Sequence, residues 1–265
     1  MTSMTDLEAV GDRLVGSDRV LAVLIELASH PAGATLDEMV RLTGSPKSTV
    51  HRALASLRRA GLASQDGRGH YILGDEFLRL AFAHHEARPE HIRVRPLLER
   101  LAERFGETAH FAVMDGTEVV YRAKVEPPIG AVRLTSTIGG RNPVHSTGVG
   151  KALLAPRVRT ERDVASWIGD RVLEARTPNT AVTAADLHAR LADTRRDGYA
   201  IDDQENELGI NCVAFPVYLS SPTAPAGAVS VSALAYRTPL STLLESVDEI
   251  RAIIAETTGI RERTA

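Results

Sequence analysis

Several stretches of this chain hold side chains that could do chemistry. One runs Gly139-Gly140-Arg141-Asn142-Pro143-Val144-His145-Ser146-Thr147-Gly148-Val149-Gly150-Lys151-Ala152. Its Gly150-Lys151 pair invites a phosphate-loop reading, but His145 stands five positions before Gly150, and Ala152 replaces the hydroxyl that would hold magnesium. A glycine-rich turn into a helix start still offers free N–H groups to a small anion such as a carboxylate. A plain capped turn explains the same residues. Further on, Asp202-Asp203 could serve metal or acid/base chemistry, yet no histidine sits nearby at ligand spacing, and Cys212 taken alone is a small buried hydrophobe. In Ala228-Val229-Ser230-Val231-Ser232-Ala233, alternation puts Ser230 and Ser232 on one strand face. Two hydroxyls so spaced can hold a ligand carboxylate or hydroxyl inside a cavity, or simply face water. His84-His85-Glu86 with His91 is a poor metal cluster because Pro89 interrupts the helix between them, and a solvated face is expected. These patterns predict no metal, no cofactor and no catalytic residue.

The stretch with the clearest chemistry is Ser45-Pro46-Lys47-Ser48-Thr49-Val50-His51-Arg52. Between Arg41 and Tyr71 six basic residues face one acid, Asp66, a net +5 that leaves −8 for the rest of a chain whose total is −3. An acidic body with one basic module suits selective contact with a polyanion. A helix opening at a Ser45 cap, with Pro46 in its first turn, would bury Val50, Ala53, Leu54 and Leu57 and present Ser48, His51, Arg52, Ala55 and Arg59 outward. Short hydroxyls and an arginine at a helix start fit a major groove, and the helix amides can meet a phosphate.

The surrounding elements must position that face. Ser17 is the expected cap of a first helix with Val20, Val23, Leu24 and Leu27 at helical spacing. Thr35-Leu36-Asp37-Glu38 reads as a capping box for a second, burying Leu36, Met39, Val40 and Leu42 before Thr43-Gly44 ends it. The short step into the third helix is that of a helix-turn-helix. Asp66-Gly67 between Leu62–Gln65 and His70–Leu73 predicts a hairpin, with Arg68 and Gly69 at its tip able to lie along backbone or minor groove.

At 265 residues two domains are the natural division. We expect a tail over 1–16, a winged helix-turn-helix over 17–74, a linker helix over 75–90 and an α+β domain over 91–265. Phe77 to Arg88 reads as the linker helix, and His91 to Phe105 as a helix burying Val94, Leu97, Leu98 and Leu101. Strands are expected at His110–Met114, Val119–Val125 and Ala131–Ser136, then at Tyr199–Asp202, Asn211–Leu219 and Gly227–Leu234. Helices should fall at Val149–Ala155, Glu161–Ile168 and Ala184–Asp197, with a last one over Leu240–Thr258. No apolar run approaches the roughly 20 residues of a membrane helix. Met1 to Val15 carries Asp6, Glu8 and Asp12 and does not resemble a signal peptide; with a lone cysteine, these features predict a cytoplasmic protein without membrane contact.

Gly44 to Arg52 and the ending Gly69-His70-Tyr71-Ile72-Leu73-Gly74 resemble the IclR family of bacterial transcription regulators, and the resemblance runs through nearly the whole chain. It implies a GAF/PAS-like effector-binding fold in the second domain and a pocket formed by Leu134, Gly148, Val149, Asp202, Cys212, Ser230 and Ser232. It also implies a duplex DNA operator read by Ser45, Lys47, Ser48, Thr49, His51, Arg52, Arg59 and Arg68, a small-molecule effector, and a homo-oligomer, dimer or tetramer. One alternative is a regulator whose second domain only oligomerises. Another is an enzyme using Cys212 with His145 or His110 as base, for which no paired motif exists.

Overall fold

A computed structural model describes residues 16–86, 89–127, 134–219, 221 and 224–258. The chain divides between residues 88 and 89 into two compact units. Among the described residues no helix is long and apolar enough to cross a membrane.

In the first unit, helices α1 (Ser17–Ala28), α2 (Leu36–Thr43) and α3 (Lys47–Arg59) precede a hairpin of β1 (Ala63–Gln65) and β2 (Tyr71–Leu73), then α4 (Asp75–Glu86). Val23, Leu27, Met39, Val50, Leu54, Leu57 and Tyr71 form its core. The capping box on α2 is present: the Thr35 hydroxyl accepts from Glu38 N, and Thr35 N donates to the Glu38 carboxylate at 2.8 Å. Gly44 closes that helix at φ 60°, a left-handed geometry that glycine adopts without steric cost.

Local expectations fail at several helix ends. Ser17 is the first helical residue and caps nothing, the N-cap being Gly16. Ser45 does not cap α3. The Pro46 carbonyl accepts from Thr49 and Val50 and so starts the helix, while the Ser45 hydroxyl donates back to the Thr43 carbonyl. Leu42 is 38% exposed because α2 stops one residue later. The wing turn is longer than Asp66-Gly67. The Asp66 side chain accepts from the amides of Arg68 and His70, and the left-handed residue is Gly69, at φ 88°. Ala34 bridges Tyr71, tying the wing to the start of α2.

The second unit opens with α5 (Pro89–Phe105), followed by β3 (Thr108–Asp115), β4 (Glu118–Val125), β5 (Arg141–Pro143), α6 (Gly148–Leu154), α7 (Glu161–Ile168), α8 (Ala184–Asp197), β6 (Ala200–Asp203), β7 (Ile210–Val217), β8 (Gly227–Leu234), α9 (Leu240–Glu245) and α10 (Val247–Thr258). The strands form one antiparallel sheet in the order β5-β4-β3-β8-β7-β6. One face carries Phe111, Val213, Phe215, Val229 and Val231 against Val94, Leu97, Leu98 and Leu101 of α5 and Ile250 and Ile253 of α10. Each such buried side chain contributes roughly 1.5–3 kcal/mol. The other face packs Ala112, Cys212 and Ala214 against Val149 and Leu153 of α6 and Leu187 and Leu191 of α8.

Two expectations for this unit are corrected. The strand placed at Ala131–Ser136 lies outside the described residues over 131–133, and Leu134–Ser136 are not strand. Gly139 and Gly140 exchange backbone bonds with Tyr121, so β5 follows them onto the edge of β4, and Leu134 stands off the sheet. The final helix breaks at Ser246. Its N–H turns to Leu243 and its hydroxyl back to Thr242, local bonds that compete with the helical ladder.

Candidate functional site

In the first unit, α3 buries Val50, Ala53, Leu54 and Leu57 and leaves Lys47, Ser48, His51, Arg52 and Arg59 exposed, as is Arg68 on the wing. Ser45 and Thr49 are half-buried. Leu36, Lys47, Ser48, His51 and Arg52 line one open concavity. Lys47 pairs with Asp37 at 2.7 Å, and its hydrogen bond and charge hold that carboxyl below the usual range. The hairpin is braced from the helix: Arg58 donates to the Gln65 side chain at 3.3 Å, which donates to the Gly69 carbonyl at 3.0 Å. The side chains of His84, His85, Glu86 and His91, weighed above as a metal cluster, lie outside the described residues.

The second unit builds a cavity from two cross-strand rows. Register aligns Thr108, Ser232, Cys212 and Asp202 across β3, β8, β7 and β6, and beside them Lys124, His110, Ser230 and Ala214 across β4, β3, β8 and β7. α6 covers these rows. Thr147 caps it, accepting from Gly150 N at 3.1 Å. Gly148 lies so close that an added Cβ would sit 3.0 Å from the Cys212 sulfur and 3.3 Å from Ala214 Cβ. The cavity, partly open to solvent, has a volume of about 40 Å³, room for a few waters. Leu134, Gly148, Val149, Asp202, Cys212, Ser230 and Ser232 all line it.

Burial governs the titration of these groups. It pushes the Asp202 carboxyl up to about 7, although that carboxyl accepts from the amides of Glu205 (2.8 Å) and Asn206 (3.3 Å). It pushes the Cys212 thiol up to about 12, with the Asp202 charge adding to the effect. It holds His110 down at about 3, helped by the charge on Lys124. A neutral thiol is a poor nucleophile. His145 contacts the Glu174 carbonyl at 3.0 Å, and the His110 ring nitrogens face Ser136, Ser230 and Ser232, so neither histidine is placed as a base for Cys212.

Sequence reasoning missed other members of the site. His110 was weighed only as a base, yet it lies in the cavity wall with Tyr121, whose hydroxyl accepts from Asn142 Nδ2 at 3.4 Å. Alternation along β3 carried the signal for it. Behind the cavity the Lys151 ammonium hydrogen-bonds the Glu205 carboxylate, both side chains almost fully buried, and Arg190 reaches the same oxygen at 2.7 Å. That pairing also removes Lys151 from any phosphate-binding role. No signal within either segment pointed to the pair.

The family model described as "Bacterial transcriptional regulator IclR C-terminal" matches residues 90–257, and the "IclR helix-turn-helix domain" matches residues 17–67. The chain belongs to the IclR family of bacterial transcriptional regulators. It is 33% identical to the acetate operon repressor of Salmonella typhimurium over 81% of this chain and 78% of that protein. Its identity to the transcriptional repressor IclR of Escherichia coli is 32%, with the same coverage. Solved IclR structures share the fold. The Thermotoga maritima IclR superposes with a TM-score of 0.75 at 23% identity, covering 98% of this chain and all of that one. An IclR homolog from Microbacterium hydrocarbonoxydans, crystallised with 4-hydroxybenzoate, gives 0.72 at 23% identity, covering 90% and 98%. Within the IclR frame the first unit carries the DNA-binding helix-turn-helix and the second the effector-binding domain.

Proposed function

We propose that the exposed face of α3, with Lys47, Ser48, His51, Arg52 and Arg59, enters the major groove of an operator half-site while Arg68 on the wing contacts the adjacent backbone. Ser45 and Thr49 flank that face as backbone contacts. The tail, winged domain, linker helix and effector-binding domain fall at 1–16, 17–74, 75–90 and 91–265. A homodimer, alone or paired into a tetramer, reads a pseudo-palindrome. The effector is a small carboxylate held by Ser230, Ser232, Asp202, Cys212, Gly148, Val149 and Leu134. Nothing in this function calls for catalysis.

The observation that carries the effector reading is the cavity, lined by buried polar groups from four strands and too small for anything beyond a few waters. A ligand the size of the 4-hydroxybenzoate in the Microbacterium homolog exceeds that volume, and its entry displaces groups that line the cavity. The filled and empty states therefore differ in shape, as linkage between effector and operator requires. Arg52→Ala is the test. Fluorescence anisotropy on the protein's own promoter fragment should show operator affinity falling by about 1–3 kcal/mol, while thermal shift by carboxylates is unchanged. Equal loss of both overturns the division of labour.

A further inference from the structure

The cavity wall contains a receptor for one oxygen-rich end of a ligand. His110 Nδ1 lies 3.4 Å from Ser230 Oγ and 3.4 Å from Ser232 Oγ, and the two hydroxyls are 3.3 Å apart. Three polar atoms in a near-equilateral triangle, each pair at the long limit of a hydrogen bond, do not saturate one another. An oxygen seated over the triangle can take all three. The opposite ring nitrogen, Nε2, is 2.8 Å from Ser136 Oγ, and a hydroxyl there can donate or accept, so this contact survives a change of protonation.

The same wall offers an anion no counter-charge. Among the described residues, those lining the cavity include two carboxyls, Asp202 and Glu207, and no lysine or arginine. Lys124 is opposite His110 on β4, but its ammonium is committed to the carbonyls of Leu134 (3.0 Å) and Ser136 (2.8 Å) and to Glu126 at 2.9 Å. Tyr121 faces the imidazole from β4 with ring centroids 5.1 Å apart, Cys212 approaches from β7 and Asp202 from β6, and Glu207 accepts from Thr135 Oγ1 at 2.7 Å. An ionised carboxylate buried here without a partner would be strongly disfavoured.

We propose that His110 receives the acidic end of the effector, and that a monocarboxylate enters this pocket together with one proton, which the imidazole takes. The proton comes from solvent. The imidazolium, Ser230 and Ser232 then supply three donors to one carboxylate, and no bond is made or broken. Burial keeps the imidazole neutral in the empty site, and the arriving carboxylate supplies the charge that reverses this. The effector is thereby restricted to acids, with the amide of the same acid excluded.

The proposal rests on the effector-pocket reading, and the test separates the two. Full-length protein is titrated calorimetrically with acetate, benzoate and 4-hydroxybenzoate, and with the matched amides, in buffers of different ionisation enthalpy at pH 7.5. A binding acid is expected to draw about one proton from the buffer, and its Kd to rise about tenfold per pH unit between 7 and 8.5. His110→Gln is expected to abolish the uptake and bring acid and amide to similar affinity, while Asp202→Asn retains the uptake. An acid that binds wild-type protein without proton uptake overturns the proposal and leaves the pocket intact. So does uptake that is lost in Asp202→Asn and kept in His110→Gln. If no acid binds at all, the effector reading fails and takes the proposal with it. Absence of wild-type uptake overturns the proposal whether or not a variant folds, and His110→Asn takes the place of His110→Gln where the latter does not fold.

Discussion

Lys151→Met removes one partner of a buried ion pair while keeping most of the side-chain volume. The Lys151 and Glu205 side chains are 1% and 2% exposed, and one oxygen of Glu205, Oε2, has no hydrogen-bond partner even with Lys151 present. Leaving an uncompensated charge in such a place costs about 3–5 kcal/mol. Arg190 stays within 2.7 Å of Glu205 but is itself 38% exposed, which argues for the lower end, about 3 kcal/mol. Trp167, the chain's only tryptophan, lies half-buried on α7 in the second unit and reports that unit's unfolding separately. With a urea m-value of roughly 2–3 kcal/mol/M, the Trp167 midpoint should fall by about 1–1.5 M. The double variant Lys151→Met, Glu205→Leu should recover most of the loss, because the unpaired charge rather than the missing bridge causes it. A midpoint shift in Lys151→Met below about 0.3 M, or a double variant worse than the single, would refute the reasoning.

Asp202 gives a pH signature of unusual sign. Its folded value, about 7, lies above the unfolded value near 3.9, so between those limits the folded state holds the extra proton and stability falls as pH rises. Asp202→Asn keeps an oxygen for the Glu205 and Asn206 amides and should gain on wild type by roughly 2–3 kcal/mol between pH 5 and 8 in urea titrations; a constant difference across that range would contradict the assignment. Cys212, buried with its thiol neutral up to about 12, should react with iodoacetamide at pH 8 only as urea opens the second unit. Labelling in native buffer at the rate of a free thiol would show that the sulfur is reachable.

The parts of this protein legible in its sequence are those whose information is local. Val50, Ala53, Leu54 and Leu57 share a face because one helix has one period, and the buried set of α3 follows from that alone. The Thr35–Glu38 box is a three-residue signal and stands as read. Ser45 illustrates the limit: serine before proline looks like a cap, but its hydroxyl bonds back to the Thr43 carbonyl and the helix starts one residue on. The edge strand was misplaced because its position depends on how Gly139 and Gly140 meet Tyr121, a contact no window of sequence contains. In the pocket, Ser230 and Ser232 were readable from alternation, whereas Gly148, Asp202 and Cys212 came through family resemblance. Alternation along β3 carries a signal for His110, but its serine partners lie about 120 residues away and meet it only through sheet register; the Lys151–Glu205 pair, 54 residues apart, meets only through the packing of α6 and is not readable.

The arrangement of the second unit explains how such a site is tolerated. One sheet face is a continuous apolar layer against α5 and α10, with Leu97, Leu98, Leu101, Val213, Val229 and Ile250 almost fully excluded from water, and it supplies the folding free energy. The opposite face gives up part of its own. There Ala214 and Gly148 shrink the space between strand and helix, and His110, Asp202, Ser230 and Ser232 occupy positions that leucine or valine would fill in a purely structural core. Each of these polar groups is costly to bury, and burial holds His110 and Asp202 toward their neutral forms. Buried polar groups are the ones whose energy a ligand can lower most, so this is the face on which binding can shift a conformational equilibrium furthest.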